Sequence, residues 1–404
     1  MGVRIAKSGI HRLRSFQPCQ YPFDTGPRRT AYGICAVVSD IVPSAFQPRR
    51  NENYAHTTLR GLAALCVVAH HGYHLVPHPP GYNPVYEFID SSYLFVDLFF
   101  ILSGFIMQET YGRNLRKSYA KADWMRAVGH YWLRRVLKIM PNYYLGVLVG
   151  VIVFILINGL RSETLLSECL RESTVAYVFL FQELSGGTCI SINQPLWSIV
   201  TEMICYLVFP LLLLMLRIPM FYLIISSGLY AALLLSFQNM NIIQGAPSIF
   251  RTLAGFLLGM YLAQAHTVLS DTLKARLQIP VFVAIALCVS LRLELLALVC
   301  FAMMVAVTAS RQGPLTQISM APIFYNPGRA SFAIYLVHMP LLIFFKLAAH
   351  KFETDTGLAV TSYPSLFVFV SLGLALSFGL LGFRWAEWPI ENIARSIRHR
   401  VERI

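Results

Sequence analysis

Ten apolar stretches, each long enough or nearly so to cross the roughly 30 Å hydrocarbon core of a bilayer, run near residues 57–76, 93–111, 141–160, 195–216, 219–237, 246–266, 279–292, 294–310, 330–350 and 365–385. Hydrocarbon offers no partner to a bare backbone N–H or C=O, so spans of this length cross it as α-helices. The expected fold is all-α: a polytopic membrane protein with about ten transmembrane helices around a polar intramembrane cavity. Composition agrees, since 56% hydrophobic and only 13% charged residues are far from an ordinary soluble domain. The net charge of +13 would suit nucleic acid, yet the basic residues flank apolar spans and form no single soluble patch. No nucleic-acid partner is expected, and the lipid bilayer is the first one that is.

Loop charges orient the spans. Arg113, Arg116, Lys117, Lys121, Arg126, Arg134, Arg135 and Lys138 face only Asp123 between the second and third spans. Between the third and fourth lie Glu163, Glu168, Glu172 and Glu183 against Arg161 and Arg171. By the positive-inside rule the first loop is cytoplasmic and the second external. The same alternation puts Lys274, Arg276, Arg311 and the basic end of the chain inside, so a multi-pass protein of the inner (plasma) membrane with both termini cytoplasmic is expected. The pair at 279–310 is split only by Ser290-Leu291-Arg292-Leu293-Glu294, which leaves a re-entrant hairpin open. Residues 1–50 carry eight Arg or Lys against Asp24 and Asp40 and read either as a basic, disordered cytoplasmic extension or as an overextended start. The membrane domain is expected over 54–392, with a basic cytoplasmic tail at 393–404.

Ionisable groups inside the spans are costly and mark functional sites by default. Arg60 and His71 are eleven residues apart in the first span; at ~100° per residue they share one helix face, roughly 16 Å apart along the axis. Asp97, in the second span, lies at about the depth of His71 and either fixes its tautomer or hydrogen-bonds helix ends. Glu202 either ligates substrate hydroxyls or pairs with a cation such as Arg251 or Arg60. Arg134, Arg135 and Lys138 read as membrane anchors, or as the groups a phosphate-rich cofactor would use. Ser331, Tyr335 and His338 follow i, i+4, i+7 spacing, so one face of an apolar helix is polar. Arg384 and Glu387 at the end of the last span read as interfacial anchors.

Eight cysteines show no CxxC spacing, so no zinc or redox motif is supported. Cys66, Cys205, Cys288 and Cys300 are expected as small core residues, whereas Cys169 and Cys189 share the external loop, where a disulfide is permitted. His70, His71, His74 and His78 cluster without a matched set of further ligands, and no metal site is expected.

Taken together, these segments resemble the membrane acyltransferases of acyltransferase family 3 over roughly residues 54–392. The resemblance rests on Arg60-Gly61-Leu62-Ala63-Ala64 with His71 after ten intervening residues, on Phe95-Val96-Asp97 through Ser103-Gly104-Phe105, on Leu196-Trp197-Ser198 with Glu202 and Phe209-Pro210, and on Arg329-Ala330-Ser331 with Tyr335-Leu336-Val337-His338. It implies a ten-helix enzyme that moves an acyl group, commonly acetyl, from cytoplasmic acyl-coenzyme A to a carbohydrate hydroxyl. No cofactor is expected to stay bound; acyl-CoA is the donor substrate and a cell-surface or exported carbohydrate the acceptor. By the same resemblance His71 is the catalytic histidine, with Arg60 as the essential cation. Asp97 would orient His71, Arg134, Arg135 and Lys138 would hold the donor, and Glu202, Ser331, Tyr335 and His338 would face substrate. The family's cytoplasmic Arg-x-x-Arg stands here as Arg135-x-x-Lys138, which keeps the charge and loses one guanidinium fork. A transporter or flippase of glycan-linked lipid, with the intramembrane charges as a proton relay, is the competing expectation.

Overall fold

The computed structural model describes residues 44–46, 52–78, 83–121, 123–158, 180, 193–359 and 361–401. The expected N-terminal extension up to residue 43, the acidic loop and the Cys169 and Cys189 pair lie outside the described residues. Ser44–Phe46 forms a single 3-10 turn in a unit of its own, residues 1–47. The second unit begins at Pro48.

Helices α1 (Tyr54–His74) and α2 (Pro84–Asp90) are followed through a 3-10 turn by α3 (Phe95–Met107), then α4 (Arg113–Ala120), α5 (Trp124–Asn158), α6 (Leu196–Met215), α7 (Pro219–Phe237) and α8 (Gly245–Ala265). The chain continues with α9 (Asp271–Ser290), α10 (Glu294–Thr308), the short α11 (Pro314–Ile318) and α12 (Pro322–Arg329), α13 (Ser331–Thr356), α14 (Pro364–Gly382) and α15 (Trp388–Val401). There is no strand among the described residues. The protein is an all-α, multi-pass membrane protein. Among the described residues, eight helical stretches are long and apolar enough to cross a membrane, against the ten spans expected. The two others are real helices that fall short for identifiable reasons. The 15-residue α10 is apolar and short, and α1 carries Arg60 and four histidines within its 21 residues.

Helix starts follow local chemistry. The Asn53 side chain accepts the backbone N–H of His56 at 3.1 Å and caps α1; Pro84, Pro219, Pro314, Pro322 and Pro364 open their helices with the ring-fixed φ that suits a first turn. The basic stretch from Arg126 to Lys138 is the first half of α5, a single 35-residue helix that runs through Pro141. A proline inside a membrane helix is tolerated because neighbouring groups re-satisfy the freed backbone.

The centre of the bundle is the contact of α3 with α8. A Cβ on Gly104 would stand 1.9 Å from the Phe256 carbonyl oxygen, and one on Gly259 would stand 2.0 Å from that of Ile101. Glycine at both crossings lets the two backbones touch, the small-residue packing of membrane helices. That contact sinks Asp97, Phe100, Ile101 and Arg251 out of reach of lipid and water. Helices α9 and α10 form the hairpin that Arg292 turns with a φ of 55°. Arg292 also forms ion pairs with Glu87 and Asp90, which holds the hairpin to α2.

Candidate active site

Three elements converge on α1. Helix α12 crosses it where Gly61 meets Gly328, so tightly that a Cβ on Gly61 would stand 2.5 Å from the Gly328 nitrogen; α3 and α13 pack alongside. Between them lies a cavity of about 180 Å³. Its polar wall includes Arg60 from α1, Ser103 from α3, Arg135 and Lys138 from α5, and Ser198 and Glu202 from α6. Arg329, Ser331 and Tyr335 complete it beside α12 and α13, with Glu387 and Glu391 from the end of the chain. The apolar wall is Val96, Phe99, Leu102, Ile106, Ile139 and Phe332. A second opening of about 270 Å³ is lined by Arg134, Arg135, Lys138, Arg395 and Glu391. It shares Arg135, Lys138 and Glu391 with the first. A basic mouth therefore leads to a mixed polar and apolar chamber.

The chamber's polar groups are held in place. Glu202 accepts hydrogen bonds from the hydroxyls of Ser103 and Tyr206. Tyr335 shares a 2.8 Å hydroxyl contact with Ser198. Arg135 donates to the Tyr111 hydroxyl at 2.6 Å and lies over that ring. Glu52 accepts from Tyr325 at 2.7 Å and from Thr57 at 2.8 Å, and lies 3.6 Å from Arg329. Burial first, and then the bond it donates to Glu52, hold the Tyr325 hydroxyl well above the usual phenol range, so it remains a donor.

Beyond the chamber the same helices carry two histidines. The Tyr335 ring lies 5.5 Å from that of His338, which lies 5.3 Å from that of His71. His338 is wholly buried and His71 half-buried. The order along α1 and α13 is thus basic mouth, chamber with Arg60, Tyr335, then His338 and His71.

Compared with known proteins, residues 53–382 match the acyltransferase domain family Acyl_transf_3. The chain belongs to that acyltransferase family. Over 165 residues the chain is 25% identical to the peptidoglycan O-acetyltransferase OatA of Listeria monocytogenes, a stretch covering 39% of this chain and 24% of that protein. Over 157 residues it is 27% identical to "Protein 2 in picA locus" of Rhizobium radiobacter, covering 36% of this chain and 74% of that protein. The match thus spans about a quarter of OatA's length. No solved structure matches the chain.

Arg60, Arg135, Lys138, Glu202, Ser331 and Tyr335 meet around one chamber, and Arg134 stands at its mouth. His71 and His338 adjoin it through Tyr335. Of the two roles expected for Asp97, a contact with His71 is not found among the described residues. Asp97 accepts from Arg251 at 2.6 Å and from the Tyr230 hydroxyl at 3.2 Å. Arg251, one of the two cations named as possible partners of Glu202, is committed to Asp97 and to the carbonyls of Ile242 and Tyr93. Equal depth on two helices does not fix which way each side chain points. Glu387, expected as an anchor, lines the chamber instead, and its Oε2 is buried without a hydrogen bond among the described residues. The π-helical turn at Phe383–Glu387 swings Glu387 inward while Trp385 remains 72% exposed. Glu52, Arg329 and Glu391 also line the chamber and were not among the expected site residues; Arg329 stood inside a motif that did carry the signal. Asp90 joins His70 and His74 with ligand atoms within 4.8 Å of one another. The carboxylate already has His74 at 2.8 Å and an ion pair with Arg292.

Proposed function

We propose that the acyltransferase takes an acyl group, acetyl above all, from cytoplasmic acyl-coenzyme A and delivers it to a hydroxyl of a cell-surface or exported carbohydrate, with His71 as general base. The observation that carries this reading is the order of groups from the basic mouth through the chamber to His71. Arg134, Arg135 and Arg395 at the mouth suit the phosphates of a coenzyme A donor, which guanidinium groups bind through paired hydrogen bonds. Lys138 offers a point charge there. The apolar wall of Phe99, Leu102 and Ile106 suits the pantetheine arm and the acyl chain.

Arg60 then stands where it polarises the thioester carbonyl or holds the donor arm. His71, roughly 16 Å farther along α1, takes the proton of the acceptor hydroxyl as that oxygen bonds to the acyl carbon. The carbon–sulfur bond breaks, and the imidazolium returns the proton to the departing thiolate. Glu202, Ser331 and Tyr335 offer hydrogen bonds to whatever occupies the chamber. The name of the Listeria relative, a peptidoglycan O-acetyltransferase, favours a sugar hydroxyl as acceptor. Loop charge favours the Arg113 to Lys138 side as cytoplasmic, with both termini on that side of the inner membrane.

The test is chemical analysis of surface polysaccharide from a deletion strain carrying wild-type protein or His71→Ala at equal membrane level. O-acetyl groups restored by the wild type and absent with His71→Ala support the reading. O-acetyl groups restored equally by both defeat the role of His71.

A further inference from the structure

With Asp97 bound by Arg251, the group beside His71 is another imidazole. His338 is fully buried on α13, and its Nδ1 lies 2.7 Å from the carbonyl oxygen of Tyr335. A carbonyl only accepts, so Nδ1 carries the proton, and in the neutral ring Nε2 holds a lone pair. That Nε2 is buried and has no hydrogen-bond partner among the described residues. Native interiors rarely leave such an acceptor unused. The His71 ring is 5.3 Å away, centroid to centroid, at 35°. With Nδ1 held on the Tyr335 carbonyl, His71 is the neighbouring ring that can offer an N–H to this Nε2.

We propose that His338 is a positioning residue for His71, the part expected of Asp97. Its Nε2 accepts the N–H of one His71 nitrogen and so leaves the lone pair of the other free for the acceptor hydroxyl. This rests on the reading of His71 as the base. During transfer the hydroxyl proton moves to that free nitrogen, the oxygen bonds to the acyl carbon, and the thiolate leaves with the same proton. His338 exchanges none; its Nδ1–H stays on the Tyr335 carbonyl, and its lone pair stabilises the imidazolium while it lasts. A neutral acceptor does this without placing a second unpaired charge in the site, which a carboxylate would. Tyr335 joins the two halves, since its hydroxyl bonds Ser198 in the chamber and its carbonyl sets the His338 tautomer. The other titratable groups around His71 are His70 and His74 of its own helix.

The experiment uses the full-length protein in membranes, labelled acetyl-CoA, and surface polysaccharide purified from the deletion strain. His338→Phe keeps a ring and removes the acceptor; His338→Gln places a carbonyl oxygen near the Nε2 position. The expected result for His338→Phe is a kcat lower by about 10–100-fold, the usual effect of losing a group that orients another, with KM for acetyl-CoA unchanged. The acid limb of its kcat/KM profile shifts to lower pH by roughly one unit, the size of a hydrogen bond to a charged group. His338→Gln recovers most of kcat. Wild-type kcat in His338→Phe, or equal losses in Phe and Gln variants, overturns the proposal. Where His338→Phe does not accumulate, His338→Asn replaces it, because its oxygen ends short of the Nε2 position. Activity surviving in His71→Ala defeats the reading of His71 itself. Activity lost in His71→Ala and intact in His338→Phe defeats the role of His338 alone.

Discussion

Arg251 and Asp97 form a buried ion pair at 2.6 Å, 154 residues apart in sequence and with both residues 0% exposed. The guanidinium also donates to the Ile242 and Tyr93 carbonyls, so the pair is internally satisfied and ties α3 and α8 to the loop before α8. Removing one partner strands the other charge, at a cost of about 3–5 kcal/mol. Asp97→Ala and Arg251→Ala are each expected to lower the thermal midpoint of the detergent-solubilised protein sharply. The double variant Asp97→Leu with Arg251→Met should recover much of it, as read by a double-mutant cycle.

Gly104 and Gly259 set the distance between α3 and α8. Overpacking a tight core contact costs about 1–3 kcal/mol, so Gly259→Ala should lower the thermal midpoint, because backbone atoms of Ile101 and Phe105 must move. Gly129→Ala on α5 meets nothing within 4 Å and should leave it unchanged or slightly raised. Scanning both variants by thermal unfolding separates the two outcomes.

At the basic mouth, Arg135→Ala is expected to raise KM for acetyl-CoA about tenfold, the loss of one charge-assisted contact, with a smaller change in kcat. Lys138→Arg should be tolerated or should tighten donor binding, since it adds a second guanidinium fork beside Arg135. Donor KM measured against ionic strength should rise in the wild type and rise less steeply in Arg135→Ala.

Arg292 is 58% exposed although it pairs with both Glu87 and Asp90. Exposed pairs are worth about 0–1 kcal/mol each. Arg292→Ala should therefore shift the thermal midpoint far less than Arg251→Ala does, and the shift should fade in high salt.

Part of the chamber lining was legible in the sequence, because helical period fixes which residues of a span share a face. Arg60, Glu202, Ser331 and Tyr335 meet as their shared polar faces implied. Azimuth was not legible. Asp97 was expected at the depth of His71, and only the close packing of α3 on α8 decides that it turns to Arg251. Glu387 was hidden for a different reason, since a charge at a helix end reads as an anchor until the π-helical turn shows that it faces inward. The helix count was also only partly legible. Helix α1 stands outside the eight long apolar helices because Arg60 and four histidines make it polar, although it carries Arg60 and His71.

Donor side and acceptor side are most directly tested in sealed inside-out membrane vesicles that contain the carbohydrate acceptor. Labelled acetyl-CoA is added to the outside, where the cytoplasmic face is exposed. Label incorporated into enclosed carbohydrate with wild-type protein, and none with His71→Ala at equal protein level, is the expected result. Incorporation only when acetyl-CoA is trapped inside the vesicles, or equal incorporation with His71→Ala, would contradict it.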